Sequence, residues 1–226
     1  MPITPDYNPS FVQLRDECQS YGATLLAVSK TRTEKEVLSL YKQGQNIFGE
    51  NRAHELIIKA SLLPSDIEWH LIGHLQSNKV ESIIKFVTCI QSLDSLKLWE
   101  KINEEAKNAE KKVSCLLQVK IATEETKYGW NIDELNEVLE TGVTKKLDHV
   151  VISGLMGMAT LTSNKEQVRQ EFRVLKKYFD ELNEKYFSEN NSFKTLSMGM
   201  SGDYNIALEE GSTMVRVGSL LFDQIR

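Results

Sequence analysis

The sequence predicts an α/β protein that folds as one (β/α)8 barrel of the TIM type. Short apolar runs alternate with stretches of helical periodicity along the 226 residues, and most of the runs are apolar on both faces. Strands that are buried on both faces pair in parallel, with helices as their connections. About eight such units in a chain of this length favour a closed barrel. A doubly wound sheet stays open as the alternative, although no GxGxxG motif follows the first strand.

Each predicted strand is a short apolar run, and each predicted helix carries apolar residues at intervals of three and four. The predicted strands are Thr24–Ser29, Asn46–Phe48, Glu68–Ile72, Val87–Ser92, Val113–Val119, His149–Ser153, Thr195–Met198 and Met214–Val217. The predicted helices are Thr33–Lys42, Ser77–Phe86, Leu96–Lys111, Asp133–Leu139, Lys165–Phe187 and Tyr204–Glu210. The clearest helix has Leu98, Ile102 and Ala106 on one face and charged residues on the other.

Composition favours a cytoplasmic protein of one domain. The net charge of −5 argues against a nucleic-acid or membrane-surface partner, since both favour a basic face. No apolar run approaches the roughly 18–20 residues of a membrane span, and the N-terminus lacks a signal-peptide pattern. The cysteines are isolated in the sequence, so neither zinc nor a disulfide framework is predicted. We expect residues 1–226 to form one domain, with 1–20 as a lead-in and a helix capped by Asn8 or Ser10.

Polar residues and glycines collect directly after the predicted strands. In strand order they are Lys30, Gly49-Glu50-Asn51, His74 with Gln76, Asp94, the loop Thr123–Gly129, Met156-Gly157-Met158, Ser201-Gly202-Asp203 and Gly218-Ser219. In barrels of this type the C-terminal ends of the strands lie on one face and carry the functional site. We therefore expect these residues to lie around one site.

The turns after the seventh and eighth strands predict a phosphate site. Backbone N–H groups at glycine-containing turns bind phosphate, and these two loops are its recurrent position in barrel enzymes. Ser201, Gly202, Gly218 and Ser219 would hold the phosphate. The alternative, in which the glycines only permit tight turns, is equally well supported by the pattern alone.

Lys30 follows the first predicted strand. An amine held at a buried strand end, in a pocket of low dielectric, would favour its neutral form, which attacks aldehydes to form Schiff bases. The sequence alone favours the alternative of a lysine that extends past the strand end to solvent. A phosphate site opposite Lys30 would reverse that preference.

Several segments, in order from about residue 25 to the end, resemble one family. The segments LAVSKT, FGEN, WHLIGHLQSNK, SGLMGM, SMGMSGD and GSTMVRVG are similar to those of the pyridoxal phosphate homeostasis proteins, also called the YggS or PROSC family. The resemblance implies a barrel like the N-terminal domain of alanine racemase that binds pyridoxal 5′-phosphate (PLP). It also supports the count of eight strands, because the second and eighth runs are short and faint.

The resemblance implies a role for each matching residue. Lys30 corresponds to the lysine that forms the Schiff base with PLP, and Arg216 to the arginine that faces the pyridine nitrogen. Asn51 corresponds to a residue close to the cofactor ring. The remaining expected positions are Ser201, Gly202, Gly218 and Ser219 at the phosphate and Met198 and Met200 in the pocket wall, whereas the roles of His74, Gln76 and Tyr128 stay open.

The expected function is PLP homeostasis without robust catalysis, so no catalytic residue is predicted. An arginine at the pyridine nitrogen weakens the electron sink of PLP chemistry, and the chain ends near the last strand, without a second domain to supply a racemase base. PLP is the expected partner, with PLP-dependent apoenzymes as candidate recipients and a monomer or weak homodimer as the expected state. Two alternatives stay open: a minimal PLP-dependent amino-acid racemase and a barrel that binds another phosphorylated metabolite.

Overall fold

The structure is a computed structural model that describes residues 9–122 and 128–222. The described residues form a closed barrel of eight parallel strands, each paired with the next along the chain. The strands are β1 (Thr24–Val28), β2 (Ile47–Glu50), β3 (Glu68–Leu71), β4 (Val87–Leu93), β5 (Val113–Gln118), β6 (Val150–Met156), β7 (Thr195–Ser197) and β8 (Met214–Val217). β1 and β8 close the barrel, with Leu26 opposite Arg216 and Ala27 opposite Val217. The predicted (β/α)8 barrel is therefore confirmed.

Helices connect the strands and cover the outside of the barrel. In chain order they are α1 (Pro9–Ser20), α2 (Glu34–Lys42), α3 (Ala53–Leu62), α4 (Val80–Ile83), α5 (Leu96–Asn108), α6 (Ile132–Glu140), α7 (Val143–Lys146), α8 (Lys165–Leu182), α9 (Tyr204–Glu209) and α10 (Ser219–Phe222). A 3₁₀ turn, Ser77–Lys79, leads into α4, and a π-helical turn, Asn183–Phe187, continues α8. Within the described ranges, no helix combines the length and the apolar character needed to cross a membrane.

Two of the differences from the sequence-based prediction concern β6 and α3. β6 continues to Met156 instead of ending at Ser153. Gly154 permits this close pairing, because a side chain there would collide with the carbonyl oxygen of Thr195 on β7. Helix α3 is absent from the prediction, since Lys59 interrupts an otherwise apolar helical face.

Buried apolar side chains form two layers. The main cluster joins the strands to the surrounding helices and includes Leu25 and Ala27 of β1. The alternate residues Leu26 and Val28 pack with Met214 of β8 in a separate, smaller cluster. This division follows from the strand geometry, in which successive side chains point to opposite faces. The C-terminal end of the barrel is where the loops can build a site.

Helix α2 begins shortly after β1 and is fixed by a capping box. The Glu36 N–H donates to Thr33 Oγ1 at 3.3 Å, and the Thr33 N–H donates to Glu36 Oε2 at 2.7 Å. These two bonds satisfy N–H groups that the first turn of a helix leaves without partners. They fix one end of the loop that carries Lys30. Of the caps predicted for the first helix, Asn8 lies outside the described residues and Ser10 lies inside α1, so Ser10 is not its cap.

Candidate functional site

A cavity of about 400 Å³ opens at the C-terminal end of the barrel. Most of the predicted site residues line it, namely Lys30, Asn51, Met200, Ser201, Gly202, Arg216, Gly218 and Ser219. The other lining residues are Val28, Thr31, Arg32, Ile72 and Met158. The structure thus brings together residues from the ends of six different strands, as the barrel topology requires.

Met198 does not belong to this cavity. Its side chain is fully buried in the main cluster between the strands and the helices. The preceding residue, Ser197, occupies the interior position, and side chains alternate along the chain at this strand end. The expectation that Met198 lines the pocket is therefore corrected, whereas Met200 does line it.

Lys30 lies directly after β1, at the mouth of the cavity. Its side chain lines the cavity and is also exposed to solvent. The next residue, Thr31, has a φ of +63°, which is uncommon for a β-branched residue. Its N–H donates to Glu55 Oε2 at 3.1 Å. An unusual backbone conformation held by a specific hydrogen bond is typical of functional sites.

The two turns predicted to hold phosphate lie beside each other. The Gly218 N–H donates to Ser201 Oγ at 3.4 Å, which joins the turn after β8 to the turn after β7. A Cβ built at Gly202 would meet no protein atom within 4 Å, so this residue faces open space. The Met200 carbonyl accepts from the Tyr204 N–H at 2.8 Å and shapes the turn before α9. These contacts hold the two glycine-containing turns side by side at the cavity.

Arg216 lies on β8 at the base of the cavity and is only 4% exposed. Its guanidinium donates to Ser197 Oγ at 2.6 Å and to the Gly157 carbonyl at 3.0 Å. Burial lowers the pKa of Arg216 to about 10, partly offset by the charge of Asp203. With this pKa the guanidinium stays protonated at neutral pH, so it faces the cavity as a cation and a donor.

A chain of hydrogen bonds continues from Arg216 through the barrel interior. Ser197 Oγ donates to Gln91 Oε1 at 2.7 Å, and Gln91 Nε2 lies 2.9 Å from His70 Nδ1. Since the amide nitrogen can only donate, the contact assigns His70 Nδ1 as the acceptor and the neutral imidazole as its form. Burial lowers the pKa of His70 to about 4, in agreement with that form. His70 is therefore a buried histidine whose Nδ1 has a partner inside the barrel.

His74 and Gln76 line a neighbouring depression of about 570 Å³, together with Asn51, Arg52 and Lys79 among others. His74 Nδ1 lies 3.0 Å from Asp94 Oδ2. The ring of His74 stacks on Tyr128 with centroids 3.8 Å apart. Asn51 lines both cavities, so the second one adjoins the first. Residues 123–127 of the loop before Tyr128 lie outside the described residues.

Asn51 is placed by a close approach between the loops after β2 and β3. A Cβ built at Gly73 would lie 2.3 Å from the Asn51 carbonyl oxygen. Only glycine therefore allows the two loops to lie against each other. This contact holds the Asn51 backbone at the junction of the two cavities.

Sequence reasoning missed a buried ion pair beside the cavity. Lys59 Nζ donates to Glu50 Oε1 at 2.6 Å, and the side chains are 5% and 0% exposed. The available signal was the position of Lys59 on the same helical face as Leu56, where an apolar residue is expected. In residues 9–122 and 128–222, no group of three or more His, Cys, Asp or Glu residues is placed to hold a metal ion.

Comparisons with known proteins agree with this geometry. The sequence profile of the family described as "Alanine racemase, N-terminal domain" matches residues 11–224. The pyridoxal phosphate homeostasis protein of Aquifex aeolicus is 39% identical over 218 residues, covering 94% of this chain and 93% of that protein. This chain belongs to the pyridoxal phosphate homeostasis protein family.

Solved structures place the fold in the same family. PipY of Synechococcus elongatus without PLP has a TM-score of 0.88 at 33% identity, covering 94% of this chain and 98% of that one. The PLP-bound structure of PipY has a TM-score of 0.85 at the same identity and coverage. PipY, a barrel of this type, has thus been observed with PLP bound.

Proposed function

We propose that the protein binds PLP in the cavity at the C-terminal end of the barrel, as a Schiff base with Lys30, and acts in PLP homeostasis. The observation that most supports this proposal is that Lys30, Arg216 and the two glycine-containing turns line one cavity. The amine of Lys30 is complementary to the aldehyde of PLP, and the guanidinium of Arg216 is complementary to the ring nitrogen. The two glycine-containing turns are complementary to the phosphate. Family membership and the PLP-bound PipY structure point the same way.

The residues present fit the shape and charge of PLP. Ser201, Gly202, Gly218 and Ser219 would hold the phosphate, at a place where Gly202 leaves open space next to the backbone. Val28 and Ile72 provide an apolar wall for the ring, and Asn51 lies at its edge. When bound, PLP supplies an aldehyde and an electron-withdrawing ring. Arg216, as a permanent cation, would donate to the ring nitrogen and disfavour its protonation.

We propose that the protein holds, buffers or delivers PLP and does not catalyse robustly. Among the described residues that line the cavity there is no tyrosine, histidine, cysteine or carboxylate that could act as a second base to Lys30. Tyr128 stacks on His74. The Tyr204 hydroxyl donates to Glu17 Oε2 with a hydrogen-bond length of 3.3 Å, and neither tyrosine lines the cavity. The exposure of Lys30 suits a cofactor that is loaded and released.

The proposed setting is the cytoplasm, with the protein as a monomer or weak homodimer and PLP-dependent apoenzymes as recipients. The acidic composition and the isolated cysteines support that setting. Delivery requires that an acceptor can reach the bound cofactor, and an exposed lysine at the cavity mouth permits this. Mixing the loaded protein with an apoenzyme, and following the recovery of that enzyme's activity beside a free-PLP control, measures delivery.

The first test is a visible spectrum of the protein with added PLP, followed by borohydride reduction and peptide mapping. We expect a Schiff-base absorption band and a reduced adduct at Lys30. Lys30→Ala should remove both, whereas Lys79→Ala, in the neighbouring depression, should keep both. An adduct of unchanged yield in Lys30→Ala would overturn the proposal and favour a site for another phosphorylated metabolite.

A further inference from the structure

The buried ion pair between Glu50 and Lys59 contacts the backbone next to Lys30. Lys59 Nζ donates to the Ser29 carbonyl oxygen at 2.7 Å as well as to Glu50 Oε1 at 2.6 Å. Ser29 Oγ donates to the same carboxylate oxygen at 2.7 Å, and the Ser29 N–H donates to the Gly49 carbonyl at 3.0 Å. Every polar group of Ser29 is thus bound to β2 or α3.

The residue on the other side of Lys30 is held from the same helix. The Thr31 N–H donates to Glu55 Oε2 at 3.1 Å, and Glu55 lies one helical turn before Lys59 on α3. Thr31 has the left-handed φ of +63° that its β-branched side chain disfavours. Ser29 and Thr31 are therefore both fixed by charged side chains, and Lys30 lies between them.

Stability alone does not account for a fully buried ion pair at this place. Removing two charges from water has a large cost, and replacing such a pair with apolar residues of similar volume is often neutral or stabilising. Here Glu50 is fully buried, and its Oε2 has no hydrogen-bond partner within the described residues. The pair instead fixes the backbone that leads into Lys30, because three directional hydrogen bonds join Ser29, Glu50 and Lys59.

We propose that Glu50 and Lys59, together with Glu55, are positioning residues that hold the backbone on both sides of Lys30 so that its amine is directed into the cofactor cavity. This inference rests on the proposed function, because it concerns the amine that would react with PLP. The pair does not line the cavity and would not touch the phosphate or the ring. Its loss should therefore affect bond formation at Lys30 and leave the rest of the binding site unchanged.

The test separates covalent from non-covalent binding. Pyridoxine 5′-phosphate has the ring and phosphate of PLP but no aldehyde, so its affinity reports the cavity without the Schiff base. The double variant Glu50→Met/Lys59→Met removes both charges at similar volume and leaves no unpaired buried charge. We expect its rate of adduct formation with PLP to fall by about tenfold or more, while its affinity for pyridoxine 5′-phosphate stays unchanged.

A matched control uses an ion pair far from the cavity. Lys185 and Glu140 pair at 2.9 Å on the surface, and Glu140→Met/Lys185→Met should leave both measurements unchanged. Glu55→Met provides a second variant that does not depend on the buried pair, since it removes the acceptor for the Thr31 N–H. Glu55 is 24% exposed, so its loss should not prevent folding. We expect it also to slow adduct formation, by a smaller factor.

The outcomes distinguish this inference from the proposed function. If the unmodified protein forms no adduct at Lys30, the proposed function fails and the positioning role fails with it. If the unmodified protein forms the adduct and the double variant forms it at the same rate, only the positioning role is overturned. Equal losses of adduct formation and of pyridoxine 5′-phosphate affinity would show a merely structural role and would also overturn it. If the double variant does not fold, Glu55→Met decides, and an unchanged rate in that variant overturns the inference.

Discussion

The guanidinium of Arg216 donates to Ser197 Oγ at 2.6 Å, and that hydroxyl donates in turn to Gln91. The serine hydroxyl must accept from one partner and donate to the other, so its orientation is defined on both sides. A buried network of this kind is costly to interrupt because each remaining member loses its partner. The position of the cation at the base of the cavity therefore depends on a residue that does not line it.

Replacing Ser197 with alanine should destabilise the protein by about 1–3 kcal/mol, since it leaves both Arg216 and Gln91 with an unsatisfied buried group. Urea unfolding of the cofactor-free protein measures this. Ser82→Ala is the control, because Ser82 is exposed and donates only to the Lys79 carbonyl. A loss of stability no larger than that of Ser82→Ala would show that Ser197 does not make the hydrogen bonds to Arg216 and Gln91.

Because of His70, the free energy of unfolding should decrease as the pH is lowered into the acidic range. Burial lowers its pKa from the ordinary 6.5 to about 4 in the folded protein, so the unfolded chain binds the proton more tightly. The contribution is fully present above pH 6.5 and is lost as the pH falls towards 4. The shift corresponds to about 3 kcal/mol. Urea unfolding at several pH values between these limits measures it.

The comparison for His70 is His70→Asn, whose side-chain oxygen can still accept from Gln91. We expect a flatter dependence of unfolding free energy on pH in this variant. Both proteins keep Glu50, whose pKa is raised by burial and therefore acts in the opposite direction. His54→Gln, which replaces a histidine at an exposed position, is the matched control for the substitution itself. Identical slopes in His70→Asn and the unmodified protein would contradict the assignment.

Gly202→Val should separate cofactor binding from stability. A Cβ at Gly202 meets no protein atom within 4 Å, and its φ is not in the left-handed region, so the cofactor-free protein should unfold at nearly the same temperature. The larger side chain would fill the space proposed for phosphate and lower the affinity for PLP by about tenfold or more. Titration with PLP, and with pyridoxal as a control without phosphate, measures this. Equal losses for both ligands would argue against a phosphate at Gly202.

The parts of the site that lie next to each other in the sequence were predictable. Lys30 and the turns at Ser201 and Gly218 directly follow apolar runs, and barrel topology then places strand ends on one face. The chain from Arg216 through Ser197 to Gln91 was not predictable, because inward-facing residues of separate strands meet only through the register of a closed barrel.

Two further residues show why local pattern is not sufficient. Met198 was expected at the cavity because it lies in a motif with site residues, but the alternation of side chains turns it towards the helices. Lys59 interrupts the apolar face of α3, and the helix was not predicted from the sequence. The same side chain is buried next to Glu50 and connects α3 to the backbone before Lys30. The charge in this apolar pattern thus marks a buried ion pair and not a loop.

If the protein holds PLP without robust catalysis, it should not exchange the α-proton of amino acids faster than free PLP does. Proton abstraction and return on opposite faces needs two bases, and the described residues that line the cavity offer Lys30 but no tyrosine, histidine or carboxylate. Incubation of the loaded protein with L-alanine in D₂O, followed by proton NMR, measures the exchange, with Lys30→Ala and free PLP as controls. Loss of the α-proton signal that depends on Lys30 would favour the racemase alternative.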